Sequence, residues 1–340
     1  MTTPSSDPPP LRAAVCGYGA LGHVHADGLA ATPGILPVAV CDLRPEQFQP
    51  RDAEFNLKAG ERRFDVRSVA TYTDWRTMLR EARLDLLVVA LPTDLHAEVS
   101  IAALEAGVHV LCEKPMAIDA VQAARMADAA ERTGRRLMIG QCLRFWPQYE
   151  ALKGLIDART HGALRALRLE RVGSYAQWSA GDWMNDHRRS GGAILDLHLH
   201  DVDWVGHVLG RPRAVFAAGQ TGRSGGIDDV TAVFDYGSCQ VTVVGSWMYG
   251  GFRMSFEAVF EQATVAWSGG AMTVRRPGVA EAEEIRVEQG SAYQRELAYL
   301  CDCIRTGSEP LRCLPRDTVQ TVRMVELERR SIAERAWITL

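Results

Sequence analysis

Through residue 140 the chain alternates short apolar runs with longer amphipathic stretches. Arg12 to Cys16, Leu36 to Cys41, Leu84 to Leu91, Val108 to Leu111 and Arg136 to Ile139 read as strands. Ala20 to Ala31, Asp94 to Ala106 and Ile118 to Thr133 repeat apolar residues at three- and four-residue spacing, as helices do. Strand and helix in repeated order predict an α/β unit over residues 11–140, doubly wound, its parallel sheet covered on both faces. From about Ala163 the pattern changes. Gly192 to Leu209 reads as one long helix, followed by closely spaced strands at Arg213–Ala218, Val230–Tyr236, Gln240–Ser246, Phe252–Phe260, Thr264–Trp267 and Met272–Arg275. Their links are short and turn-rich, which predicts mostly antiparallel pairing in a second, α+β domain over residues 141–340. Tyr293 to Cys303 and Asp317 to Arg330 close the chain as helices that can pack back toward the first domain.

A length of 340 residues suits two such domains, and 47% hydrophobic with 24% charged residues is ordinary for a folded chain. The net charge of −4 offers no basic excess, so nucleic acid is not expected as a partner. Leu86 to Leu91 is the longest purely apolar run, far short of the ~20 residues that span a bilayer, so no membrane association is expected. Residues 1–10 are rich in Thr, Ser and Pro and lack the segments of a signal peptide; they read as a disordered lead-in to a cytoplasmic protein. The eight cysteines read as small buried residues. Cys301, Cys303 and Cys313 lack the second pair that would complete a structural zinc site, and no metal is expected.

Three clusters carry candidate chemistry. Gly17-Tyr18-Gly19-Ala20-Leu21-Gly22 follows the first strand and opens the first helix, the arrangement in which backbone approaches a pyrophosphate and a helix N-terminus stabilises its charge. Asp42 lies twenty residues beyond Gly22 at the end of the second strand, where a carboxylate binds ribose hydroxyls. It favours NAD, while Arg44, which can accept a 2′-phosphate, leaves NADP open. Glu113-Lys114-Pro115 follows the fifth strand, and residues past a strand's carboxyl end face the ligand crevice. Finally, on a continuous helix Asp196, His200, Asp203 and His207 share one stripe. A carboxylate one turn from an imidazole would orient it and hold its pKa near ~7, which suits a general base. The upstream segment with Tyr175, Trp178, Trp183, Asp182, His187, Arg188 and Arg189 can wall a pocket for a polyhydroxylated ligand.

These residues in this order resemble the glucose–fructose oxidoreductase, inositol dehydrogenase and rhizopine catabolism family, Gfo/Idh/MocA. The resemblance rests on Gly17 to Gly22, Asp42, the Leu91-Pro92-Thr93-Asp94-Leu95-His96 segment, Glu113-Lys114-Pro115, the Arg144-Phe145 stretch, and Gly191-Gly192 leading to Asp196 and His200. It implies a Rossmann domain followed by a domain with a large open sheet that forms a homodimer or homotetramer interface. It also implies NAD(P)-dependent hydride transfer on a sugar or cyclitol, with Lys114, Asp196 and His200 catalytic. Leu91, Pro92, Thr93, His96 and Glu113 fall to the cofactor, and Arg144, Trp183 and His187 to the substrate. His198 departs from the small or apolar residue that many relatives carry there. Two other activities use the same residues: an NAD-dependent glycoside hydrolase that recycles its cofactor internally, and a non-catalytic NAD(P)-binding regulator.

Overall fold

The structure, a computed structural model, describes residues 8–49 and 64–340; most of the expected lead-in, residues 1–7, lies outside them. The first half contains β1 (Leu11–Cys16), α1 (Ala20–Ala31), β2 (Ile35–Cys41), β3 (Ala70–Tyr72), α2 (Trp75–Glu81), β4 (Leu86–Val89), α3 (His96–Glu105), β5 (His109–Glu113), α4 (Ala120–Thr133) and β6 (Leu137–Gly140). Its six strands pair in the order β3-β2-β1-β4-β5-β6, all parallel. The order reverses between β1 and β4. Both strands are almost wholly apolar and buried because helices cover the two faces of the sheet. Their carboxyl ends therefore open onto a crevice at the switch point.

The second half begins with α5 (Pro147–Asp157) and β7 (Leu164–Ser174). It continues through α6 (His187–Ser190), α7 (Ala193–Asp196), α8 (Leu199–Leu209), β8 (Ala214–Thr221), β9 (Ile227–Asp235), β10 (Gln240–Ser246), β11 (Met248–Phe260), β12 (Thr264–Trp267), β13 (Met272–Arg275), β14 (Glu283–Ile285), α9 (Ala292–Thr306), α10 (Pro315–Glu334) and β15 (Ile338–Thr339). Nine strands form one sheet in the order β14-β13-β12-β11-β7-β10-β9-β8-β15, antiparallel except where β10 runs parallel to β7. The inward phase of β7, including Leu167 and Leu169, packs with Phe256 and Ala258 of β11 beneath Tyr149 and Trp204.

The two closing helices join the halves. On α9, Ala292, Leu297, Leu300 and Cys301 pack in one apolar cluster with Ala13, Val15 and Ala26 of β1 and α1. The apolar stripe of α10, Val319, Val322 and Val325, packs between α4, α8 and β8. One expectation fails: Gly192 to Leu209 is two helices, not one. α7 ends at Asp196, and Leu197 and His198 form a turn before α8 begins. The break lets His198 turn inward, its Nε2 3.2 Å from Glu328 Oε1 of α10, both side chains fully buried. His198 thus anchors the start of α8 to α10.

Candidate active site

The glycine turn is built by close backbone approach. Gly17 has φ +92°, and a Cβ there would sit 2.3 Å from the Ala90 carbonyl oxygen. At Gly22 a Cβ would meet the Gly17 carbonyl oxygen at 2.0 Å. The first contact seats the turn against the end of β4 and the second draws β1 and α1 together, so that the turn closes under the crevice. Gly19 is the N-cap of α1 with no side-chain cap, and space is open beside it. The first-turn N–H groups are thus left for a ligand, an arrangement suited to an anion. Asp42, just past β2, accepts the Tyr18 N–H on Oδ2 and the Arg44 N–H on Oδ1, both at 3.0 Å. The Arg44 Nε lies 3.5 Å from the same Oδ1. This donor set and glycine cradle fit a dinucleotide.

A cavity of about 1050 Å³ runs from the glycine turn to α7 and α8. Of the residues singled out in the sequence, Gly17, Gly19, Ala20, Leu21, Asp42, Arg44, Leu91, Pro92, Leu95, Glu113, Lys114, Trp178, Trp183, Arg189, Asp196 and His200 line it. Lys114 Nζ donates to the Asp196 main-chain oxygen at 2.9 Å and to Asp196 Oδ1 at 3.0 Å. That carbonyl is available because α7 stops at Asp196.

The expected Asp196–His200 pair is not formed. With the helix broken between them, the carboxylate turns to the full charge of Lys114, and no hydrogen bond joins it to the imidazole among the described residues. His200 Nδ1 instead lies 3.9 Å from Cys142 Sγ. Burial, then Lys114, then Arg171 push its pKa well below the ordinary histidine value, so it is not a base poised near neutrality.

Several other expectations resolve away from the cavity. Arg144 was expected at the substrate; it is buried, with Nε and Nη2 donating to Asp203 at 2.8 and 2.7 Å and Nη1 to the Arg312 carbonyl at 2.7 Å. Asp203 consequently leaves the polar stripe, and His207, depressed to about 4 mainly by burial, contributes no base there. His187 packs against the Ser224–Gly226 loop, its Nδ1 3.1 Å from Ser224 O. His96 spans two carbonyls, with Nδ1 2.7 Å from Pro115 O and Nε2 2.8 Å from Leu91 O. It ties the two crevice loops together from beneath. Tyr18, Gly22 and Thr93 are covered and shape the turn and loop from behind.

The cavity also contains residues the sequence reading passed over: Arg171, Trp247, Phe252 and Tyr293. Arg171 Nε donates to Asp201 Oδ2 at 2.8 Å, and burial does not neutralise it because Asp201 holds its charge. An arginine on the inward phase of a strand, in line with Leu167 and Leu169, was the available signal. Arg189 Nε donates to Asp94 Oδ2 at 3.0 Å, linking the aromatic segment to the loop after β4.

Residues 11–141 match the family described as "Oxidoreductase family, NAD-binding Rossmann fold", and residues 149–266 match the "GFO/IDH/MocA C-terminal domain". The chain belongs to the Gfo/Idh/MocA oxidoreductase family. Among its Gfo/Idh/MocA relatives, myo-inositol 2-dehydrogenase of Thermotoga maritima is 26% identical over 241 residues, 69% of this chain and 67% of that one. D-glucoside 3-dehydrogenase of Escherichia coli K12 is 30% identical over 207 residues, 60% of this chain and 55% of that one. These alignments thus span about half to two thirds of the curated relatives. The fold extends further: myo-inositol 2-dehydrogenase from Lactobacillus plantarum superposes with TM-score 0.79 at 21% identity, covering 97% of this chain and 99% of that one. Aldose-aldose oxidoreductase from Caulobacter crescentus, complexed with glycerol, gives 0.82 at 21% identity over 97% and 100%. As a Gfo/Idh/MocA protein the chain is an NAD-binding oxidoreductase.

Proposed function

We propose that this oxidoreductase interconverts a secondary hydroxyl and a carbonyl on a sugar, cyclitol or related polyol, with NAD as its cofactor. The observation that carries the reading is the Lys114–Asp196 pair at 3.0 Å, beside His200 in the same cavity as the glycine turn. When bound, the nicotinamide supplies the hydride acceptor or donor. Gly17, Gly19, Ala20 and Leu21 would hold the pyrophosphate and Asp42 the adenosine ribose. The Asp42 carboxylate disfavours a 2′-phosphate, and Arg44 lies close enough to it for its charge to be partly offset.

In the oxidative direction His200, kept neutral by burial, accepts the hydroxyl proton, and Lys114 donates a hydrogen bond to the reacting oxygen and stabilises charge developing on it. Asp196 holds the ammonium in place. Trp178, Trp183 and Trp247 offer apolar faces to ring carbons, as expected for a polyhydroxylated substrate. The family's named relatives act on inositols and glucosides, which supports this substrate class. A panel of inositols, aldoses, glycosides and sugar acids, each with NAD and NADP and followed by nicotinamide absorbance, tests the proposal. NADH formation with at least one polyol that is lost in Lys114→Met is the expected result; nucleotide binding without turnover across the panel, or product release with no net NADH, refutes it. Assembly as a homo-oligomer through the nine-stranded sheet belongs to the same proposal, checked by light scattering.

A further inference from the structure

Behind the cavity wall lies a second group of ionisable side chains. Glu113, the last residue of β5, has Oε1 2.6 Å from His25 Nε2 of α1, and its Oε2 accepts the Lys114 main-chain N–H at 3.1 Å. Glu296 of α9 completes the group: one donor or acceptor atom from each of His25, Glu113 and Glu296 lies within 4.8 Å of the others, and all three side chains are buried. Glu296 is fully enclosed, and neither of its carboxyl oxygens has a hydrogen-bond partner among the described residues.

We propose that Glu296 is held as a neutral carboxylic acid sharing its proton with Glu113, and that through this pair it positions Lys114. The inference rests on the reading of Lys114 given above. Its first support is a count of charges. The groups around Glu296 are His25 from α1, Glu113 and Lys114 from the end of β5, Cys142 from the segment after β6, Tyr293 from its own helix and Cys313 before α10, with Arg171 of β7, paired with Asp201, beyond Cys142 and Tyr293. His25 is engaged by Glu113, and the Lys114 ammonium by Asp196. Among the described residues no cation is left for a second carboxylate, and an isolated buried carboxylate neutralises by taking a proton. Burial and the Glu113 charge act on Glu296 in the same direction, raising its pKa well above the carboxyl range. Two carboxyl groups at this separation hold one proton between them, across a gap that rotation of the Glu296 carboxyl or one bridging water closes.

The consequence reaches the active site through Glu113. A neutral Glu296 donates to Glu113 and so fixes the carboxyl group that accepts from the Lys114 N–H and meets His25. An ionised Glu296 would repel it, and an apolar residue would leave it room to turn. Either change moves the residue that carries the ammonium, and a displacement of about 1 Å at a reacting group costs on the order of 10²-fold.

Infrared difference spectra of the wild-type holoenzyme against Glu296→Gln read the proton directly. A protonated-carboxyl carbonyl stretch at neutral pH that is missing from the variant is expected. In kinetics, Glu296→Leu lowers kcat by about 10- to 100-fold with little change in the polyol KM, and Glu296→Gln, which mimics the neutral acid, restores most of the loss. The raised native pKa makes stability fall as pH climbs above the ordinary carboxyl range, because only the folded state keeps the proton; Glu296→Gln flattens that slope of Tm against pH. An absent carboxyl band, one equivalent of divalent metal in the purified protein by elemental analysis, or a Gln variant as impaired as Leu overturns the inference. The infrared arm needs no turnover. Its band present in a protein that turns over no polyol overturns the functional reading, and with it the positioning half of this inference, but not the shared proton.

Discussion

Arg144 is the sharpest place to separate packing from substrate binding, and Arg144→Leu the perturbation to make. In the structure its guanidinium is bidentate on Asp203 at 2.8 and 2.7 Å, and both side chains are almost completely shielded from water. Removing it leaves the Asp203 carboxyl group buried with the Thr321 hydroxyl at 2.9 Å as its remaining donor among the described residues, a loss of about 3–5 kcal/mol for a broken buried pair. If the roughly 200 residues of the second half unfold together, at about 2.1 cal/mol/K per residue, Tm falls by about 7–12 °C. Differential scanning calorimetry of the apoprotein measures this, and steady-state kinetics well below the transition supplies the contrast. The polyol KM should change by less than about threefold, because Arg144 does not line the cavity. Arg144→Leu combined with Asp203→Leu should recover most of the lost stability, since an apolar pair replaces the ion pair without leaving a charge behind. A Tm within about 2 °C of wild type together with a tenfold higher KM would refute this reasoning and return Arg144 to the substrate site.

Three further outcomes follow from the site. His200→Ala should reduce kcat/KM by on the order of 10²-fold, and because burial, Lys114 and Arg171 lower the His200 pKa, the wild-type acid limb should lie below the ordinary histidine value near 6.5; a limb at or above it contradicts the assignment. Gly19→Ala and Gly22→Ala should behave differently: a Cβ at Gly19 meets nothing within 4 Å and should raise the NAD KM while leaving Tm unchanged, whereas one at Gly22 lies 2.0 Å from backbone and should destabilise the fold. Equal Tm values for the two variants would count against this geometry. Asp42→Ala removes the carboxylate beside Arg44, so the ratio of kcat/KM for NADP to that for NAD should rise by about tenfold or more; an unchanged ratio means that neither side chain reads the 2′ position.

Sequence reading succeeded where the chemistry is local. The glycine turn and Asp42 lie at the ends of consecutive strands, so their meeting follows from chain order in a parallel sheet. It failed at β7. Leu164–Ser174 is rich in Leu, Arg, Ala and Glu, which favour helix, yet it is the strand between β10 and β11 in the large sheet. Its neighbours on both sides, far off in sequence, override its local preference. Missing β7 meant missing Arg171. The Asp196–His200 pair failed for a related reason: a four-residue spacing implies proximity on one side of a helix only if the helix is continuous, and here it breaks at Leu197 and His198.

By itself the sequence determined the two-part α/β and α+β layout, the glycine turn between β1 and α1, and Lys114, Asp196 and His200 as the residues to watch, because periodicity and motif spacing are properties of contiguous chain. Tertiary structure alone decided who pairs with whom. Asp196 goes to Lys114, Asp203 to Arg144, Asp201 to Arg171 and His198 to Glu328. Each choice is made by burial, which leaves a charged side chain only the partner that the packing of distant segments brings within reach.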